Sequence, residues 1–407
     1  MGSEMCIRDR CNCLENVVAT ENQAMAHCNT IFSQILNLVP RHEFESLANK
    51  HHSGRMFRTA SRWSQFVIMS LAQLTGRSSL RDVIENVTAQ EHRLYHLGSS
   101  KMSRSNLSRI NEDKPYELYE ALFAKLLKRC QQKVPGHGFR FKNELYSLDA
   151  SAIDLCLSVF PWAKFRKTKG AIKLHVGMNH KGNMPEFVSI TDGKQHDVTQ
   201  GRQVDFPKGS IVAVDRGYTD YKWYKQLSDK GVYFVSRCKS NAKMKIVERR
   251  EVDESTGLTS DQTIEFTGFY ASTDCPIPMR RVGYRDAETG KHYVFLTNNF
   301  KLSPLTIAKI YKARWQIELF FKWIKQNLKI KSFVGTSKNA VMTQIWIALC
   351  IYLLLAFLKF QSKTTKSMQQ ILRLLQTNLF EKWSLEDLIT GRGRKKHSPS
   401  DRQQVMF

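Results

Sequence analysis

The sequence predicts a mixed α/β (α+β) catalytic domain preceded by a small all-helical domain. Three observations carry that expectation. Apolar residues recur at helical spacing through residues 24–130, and the period changes to two after residue 142. A late helix then gathers Tyr311, Arg314, Glu318 and Lys325 on one side. At about 100° per residue those four side chains fall within an arc of roughly 60°. Ile310, Ile317, Phe321, Ile324 and Leu328 fall on a neighbouring arc, so one face enters a core while the polar stripe lines its rim. A carboxylate flanked by Arg, Lys and Tyr suits a site that handles phosphate. It equally suits a solvated face with i,i+4 pairing between Arg314 and Glu318.

At 407 residues the chain has room for two or three domains. Its 62 Lys and Arg against 37 Asp and Glu leave +25, for which the natural counterion is a polyanion. With 42% hydrophobic and 11% aromatic residues the chain is globular rather than disordered, which favours duplex nucleic acid as the partner. The nine cysteines are scattered and show no two-residue gap, so they read as reduced cytosolic thiols. Cys11, Cys13, His27 and Cys28 lack the spacing of a zinc site. Residues 1–10, MGSEMCIRDR, carry no apolar periodicity and no signal-peptide pattern, and residues 1–23 are treated as a leader outside the fold.

The helical segment 24–130 is expected to bind DNA. Gly76 should end one helix, Ser78 or Ser79 should cap SLRDVIENV, and Ser103 should cap SRSNLSRIN. In a helix-turn-helix, Arg104, Ser105, Asn106 and Arg109 would lie near base edges or phosphates; a structural bundle with surface Arg is the alternative. Residues 131–141, with Pro135, Gly136 and Gly138, read as a linker.

The catalytic domain is expected over 142–360. ELYSLDASAIDLCL, AIKLHVGMNH and PEFVSITD suit three consecutive antiparallel strands, and SIVAVDRGYTD, a helix through Tyr224 and Leu227, and GVYFVSRCK follow. This order, with one carboxylate on the first strand and another at the end of the fourth, is the ribonuclease H-like (retroviral-integrase-like) pattern. Residues 240–300 interrupt it with strand-like pieces that read as an inserted β-rich subdomain. Its Lys239, Lys243, Lys245, Arg249, Arg250, Arg280 and Arg281 either meet DNA or form a solvated hairpin.

Pro304 should open the helix that carries the polar stripe. Ala340–Phe360 is marginally long enough to cross a bilayer of about 20 residues. Thr343 and Gln344 interrupt it and no second span exists, so a buried helix packed on a sheet is expected, with no membrane and a cytoplasmic, nucleoid-associated chain. Residues 361–407 should form a helical segment and a basic tail, GRGRKKHSPSDRQ, suited to nonspecific phosphate contact.

Asp149, Asp215 and Glu318 are the candidate metal ligands and catalytic residues. Three carboxylates can hold two hard divalent cations, one to activate water and one to stabilise the leaving 3′ oxygen. Asp154 is five residues from Asp149 and should face the other side of the sheet. Asp192, Asp197, Asp205 and Asp220 fall in predicted turns.

The spacing Y-x-x-R-x-x-x-E-x-x-x-x-x-x-K, met by Tyr311, Arg314, Glu318 and Lys325, resembles the signature of DDE transposases of the insertion-sequence-four family. LDAS at 148–151 and VDRGY at 214–218 are similar to that family's two aspartate motifs, and residues 30–130 resemble the helical domain often found before its catalytic core. The resemblance implies Mg2+ dependence (two ions, with Mn2+ able to substitute) and cut-and-paste movement of a DNA element. The partners it implies are double-stranded DNA, at the terminal inverted repeats and the target, and a second copy of the chain on that DNA. Tyr311, Arg314 and Lys325 would hold phosphates while a hairpin is formed and resolved, with Lys322 and Lys329 as further phosphate contacts. Trp315 would stack on an extruded base or simply pack. A catalytically silent or domesticated DNA-binding protein and a ribonuclease H-like nuclease without strand transfer are the alternative functions.

Overall fold

The computed structural model describes residues 29–55, 60–165 and 169–392. The leader, the Cys11–Cys13–His27–Cys28 grouping and the basic tail beyond 392 lie outside the described residues. The chain forms two compact units, one from Val134–Gln326 and the other from the described parts of Met1–Lys133 and Asn327–Phe407.

The second of these units is helical. Before residue 134 its main helices are Ile31–Leu36, Arg41–Lys50, Arg62–Thr75, Leu80–Ala89, Arg104–Asp113 and Glu117–Gln131. The Ser79 and Ser103 side chains accept from the backbone N–H groups of Asp82 and Asn106, satisfying donors that a helix start leaves open. Gly76 closes Arg62–Thr75 in the left-handed region at φ 72°, which a Cβ would strain. Lys338–Gln361, Met368–Asn378 and Leu385–Thr390 complete the unit.

Helix Lys338–Gln361 is long and apolar enough to cross a membrane, yet 94% of its most apolar window is buried inside the protein. It was expected to pack on a sheet within the catalytic segment; instead it packs among Arg62–Thr75, Arg104–Asp113, Glu117–Gln131 and Met368–Asn378. An apolar surface on all sides is what a helix surrounded by helices requires. The polar interruption has a local purpose: Gln344 donates to the Ser332 carbonyl at 2.9 Å and accepts from the Val334 N–H at 3.0 Å, tying down the loop before the helix.

The first unit is built on one nine-stranded sheet: β1 Leu145–Leu155, β2 Gly170–Asn179, β3 Met184–Asp192, β4 Ile211–Val214, β5 Tyr233–Arg237, β6 Met244–Arg250, β7 Leu258–Phe266, β8 Met279–Arg285 and β9 His292–Thr297. The spatial order is β3-β2-β1-β4-β5-β9-β8-β7-β6. β1 pairs in parallel with β4 and β4 with β5, while β2 and β3 are antiparallel to their neighbours, so β1 to β5 form the ribonuclease H-like core.

β4 is buried throughout because both its faces are covered. Val212 and Val214 join Tyr218, Trp223, Tyr224 and Leu227 on one side; Ile211 and Ala213 join Ile307, Ala308 and Ile310 on the other. Residues 240–300 do not form a separate body. Their last strand, β9, pairs antiparallel with β5, so the insertion continues the core sheet.

Two of the insertion's expected DNA contacts are spent internally. Arg280 is buried against Asp261, and Arg250 pairs with Glu248 and Asp261.

Candidate active site

β1 alternates, so Leu145, Ser147 and Asp149 share a face, and Leu148 stands opposite Val214 in the parallel pairing. Asp215 follows Val214 directly, just past the end of β4, and continues the face of Ala213, while Asp149 follows Leu148 within β1, so the parallel pairing sets the two aspartates on neighbouring strands. Asp149 Oδ1 accepts from the Ala150 N–H at 2.8 Å, and Asp215 Oδ1 from the Gly217 N–H at 2.8 Å, where it caps the turn Arg216–Tyr218. These backbone bonds fix both carboxylates.

The third carboxylate arrives on the helical stripe, whose geometry differs in one respect from the expectation. Two helices replace one: Pro304–Ala313, opened by Pro304 behind the Ser303 cap, and Trp315–Asn327, with Arg314 at the junction. The Arg314 N–H bonds to the Tyr311 carbonyl and the Ile317 N–H to the Arg314 carbonyl, both at 3.1 Å, so the turn is tightened rather than broken. The stripe survives, and Ile310, Ile317, Phe321 and Ile324 are buried as expected.

Arg314 donates to Asp149 Oδ2 at 3.2 Å and to Glu318 Oε1 at 2.6 Å, so one guanidinium joins carboxylates 169 residues apart (149 to 318) in sequence. Burial pushes the Asp149 carboxyl up to about 6; Arg314 and the Ala150 bond oppose the rise, while Asp215 and Glu318 add to it. The Asp149 carboxyl therefore feels the charge of both Asp215 and Glu318.

Lys325 reaches β1 beyond Asp149, donating to Ser151 Oγ at 2.6 Å and the Ala152 carbonyl at 2.7 Å. Tyr311 is half-buried, its ring 4.8 Å from Phe295 and 5.5 Å from the Arg314 guanidinium carbon. Burial pushes its hydroxyl up. Trp315 is 56% exposed, and Lys322 is exposed.

Lys329 belongs to the helical unit, where its N–H bonds to Gln73 Oε1 at 2.9 Å. Arg104 and Arg109 are exposed on helix Arg104–Asp113, also in the helical unit. The rival Asp154 is exposed on β1, Asp197 is held by Lys173 at 3.0 Å, and Asp220 caps helix Tyr221–Asp229. Ser151, the Lys325 acceptor, was overlooked although it sits inside the LDAS run.

A family model described as "Transposase DDE domain" matches residues 140–354. A protein of Sinorhizobium fredii named as a transposase, y4zB, is 32% identical over 280 residues, covering 68% of this chain and 77% of the relative. The chain belongs to the DDE-domain transposase family. The named transposase for insertion sequence element IS5377 of Geobacillus stearothermophilus is 28% identical, over 65% of this transposase and 70% of that protein. Residues 27–100 match a second model, described as a domain of unknown function (DUF4372). A solved piggyBac transposase synaptic complex with hairpin DNA aligns at 13% identity and a TM-score of 0.43, covering 88% of this chain and 79% of that one, a likeness too distant to argue from.

The donor chemistry of the transposase site suits a hard divalent cation, since ionised carboxylates are acceptor-only oxygen ligands. Among the described residues, no three His, Cys, Asp or Glu side chains converge closely enough to hold an ion as they stand. In this arrangement the Arg314 guanidinium engages one oxygen of Asp149 and one of Glu318.

Proposed function

We propose that this transposase is of the insertion-sequence-four, Y-R-E-K type. It would cut the ends of a DNA element and join them to target DNA through a hairpin intermediate, with Asp149, Asp215 and Glu318 as its catalytic carboxylates. The observation that carries this reading is the Arg314 bridge, which draws Asp149 and Glu318 together beside Asp215.

Asp149, Asp215 and Glu318 would hold Mg2+, two ions with Mn2+ able to substitute. When bound, the metal supplies the Lewis acidity that activates water and stabilises the leaving 3′ oxygen. The chain's own residues do the rest. Arg314 and Lys325 bind the phosphates flanking the cut, Arg as a two-pronged donor and Lys as a point charge. The Tyr311 hydroxyl, whose ionisation burial disfavours further, donates a hydrogen bond to the same backbone. Exposed Trp315 and Lys322 extend that contact surface, Trp315 by stacking on a base drawn out of the duplex. Lys329, Arg104 and Arg109 contribute phosphate contacts from the helical unit. Two copies of the chain pair on DNA so that two element ends are processed together.

The test is Mg2+-dependent cleavage and strand transfer on DNA carrying the inverted repeats that flank the gene. Asp149→Asn, Asp215→Asn and Glu318→Gln are each expected to abolish both reactions. Full cleavage by any of the three would sink the assignment, and cleavage without joining by the wild-type protein would reduce it to a nuclease.

A further inference from the structure

Two polar residues of β1 face no polar side chain across the sheet. Asp149 and Ser151 share a face by alternation, and in the antiparallel pairing they stand opposite Val176 and Leu174, both buried and apolar. Their side-chain partners come from the helical stripe instead. Arg314 donates to Asp149 Oδ2 at 3.2 Å, and Lys325 donates to Ser151 Oγ at 2.6 Å and to the Ala152 carbonyl at 2.7 Å. The stripe is thus tied to two successive positions of one strand face, and Glu318 lies between the ties in sequence.

The proposed mechanism uses Lys325 as a charge for phosphate and gives Ser151 no part. A lysine ammonium is a point charge with three donors on a flexible four-carbon stem, so its head wanders unless something fixes it. Here two of those donors are set on β1. The Ala152 acceptor is backbone, and any residue at that position would offer it. The Ser151 acceptor depends on the side chain. Among the described residues the Ser151 hydroxyl bonds to no other side chain, so it is not committed to a brace elsewhere in the fold. The contact holds the ammonium over a position two strand residues, or roughly 7 Å, beyond Asp149.

We propose that Ser151 is a positioning residue: its hydroxyl presets the Lys325 ammonium on β1, so that the charge is in place before the phosphate beside the cut arrives. The inference rests on the proposed DNA-cleaving function for what Lys325 meets. Presetting lowers the ordering cost of binding and leaves the number of charges unaltered. Loss of the hydroxyl should therefore weaken affinity without changing the counterions released, a signature that loss of Lys325 itself does not share.

The test is a double-mutant cycle on the full-length protein, read by fluorescence anisotropy in EDTA across a range of salt concentrations. The probe is a labelled duplex carrying the inverted repeats that flank the gene. Ser151→Ala is expected to weaken binding about tenfold, the worth of one hydrogen bond to a charged group, with the slope of log affinity against log salt unchanged. Ser151→Thr keeps the hydroxyl and should bind like the wild type. In a Lys325→Ala background, Ser151→Ala should cost nothing further, because the residue acts through the lysine. Wild-type affinity in Ser151→Ala, or a loss that persists in full without Lys325, would overturn the positioning role. Either of those results leaves DNA binding by the wild type, and with it the proposed function, standing. A wild-type protein that failed to bind the duplex would remove both.

Discussion

Arg314 donates to Asp149 at 3.2 Å, yet Asp149 remains easier to protonate than an ordinary carboxylate, at about 6. Burial and the neighbouring carboxylates outweigh one guanidinium. The native state therefore binds more protons than the unfolded chain between about pH 4 and 6, and this group's contribution to stability falls as pH rises through that window. In EDTA at pH 8, Asp149→Asn is predicted to raise stability by on the order of 1–3 kcal/mol, a gain that vanishes toward pH 4. Mg2+ or Mn2+ should raise the thermal midpoint of the wild type but not of the variant. Thermal denaturation with and without the cation checks both; a destabilised Asn variant at pH 8 would refute the electrostatic account.

Two buried histidines act with the opposite sign. Burial pushes His175 and His180 down to about 4; His175 bonds to Thr191 Oγ1 at 2.8 Å and His180 to Ser147 Oγ at 2.7 Å. Each contributes stability that is fully present above about pH 6.5 and lost as pH falls toward 4. A shift of that size has a ceiling of about 3 kcal/mol per histidine, so the pair outweighs Asp149. Urea unfolding midpoints are predicted to drop between pH 7 and 4.5, and His180→Gln should flatten that dependence.

The Arg280–Asp261 pair should be the most sensitive ionic contact of the sheet extension. Arg280 donates to both Asp261 oxygens, at 2.8 and 2.7 Å, and to the Asn299 and Leu302 carbonyls, with both charged side chains only 4% exposed. Truncation to Ala strands a buried carboxylate and two carbonyls, at a cost of about 3–5 kcal/mol. Arg250 tempers the loss because it also reaches Asp261, at 3.1 Å. Chemical denaturation measures the effect; a cost under about 1 kcal/mol would mean that the pair is solvated.

Lys325→Ala separates DNA holding from metal holding. Its ammonium donates to the Ser151 hydroxyl and the Ala152 carbonyl. The variant is predicted to lose about one phosphate contact, lowering the salt slope of duplex binding by about 0.9, with Mn2+ affinity unchanged. Isothermal titration with Mn2+ provides the check, and abolished metal binding would assign Lys325 a different role.

Local signals gave most of the architecture. Ser79, Ser103 and Gly76 announced helix ends because capping is local chemistry, and β1 to β5 followed from alternation and short apolar runs. The polar stripe was legible because helical periodicity alone aligns its members. Partner choice was not. Nothing in the period of Lys338–Gln361 tells a helix surrounded by helices from one lying on a sheet, since both demand apolar surface. The fate of Arg280 was equally hidden, because Asp261 meets it through the strand pairing and not through sequence proximity. Arg314 was expected to face phosphate, and its hold on Asp149 depends on how β1 meets the helix junction.

The antiparallel pairing of β9 with β5 also bears on how the protein stays dispersed. Without it, the buried, apolar β5 would present an open ladder of N–H and C=O groups, a template for stacking with other chains. The extension moves that open rim outward to β6, which carries Lys245, Glu248, Arg249 and Arg250 and is largely exposed. At the opposite rim, β3 holds Pro185, which has no N–H to offer a newcomer. The sheet is thus guarded against aggregation at both ends, by charge at one and by a missing donor at the other.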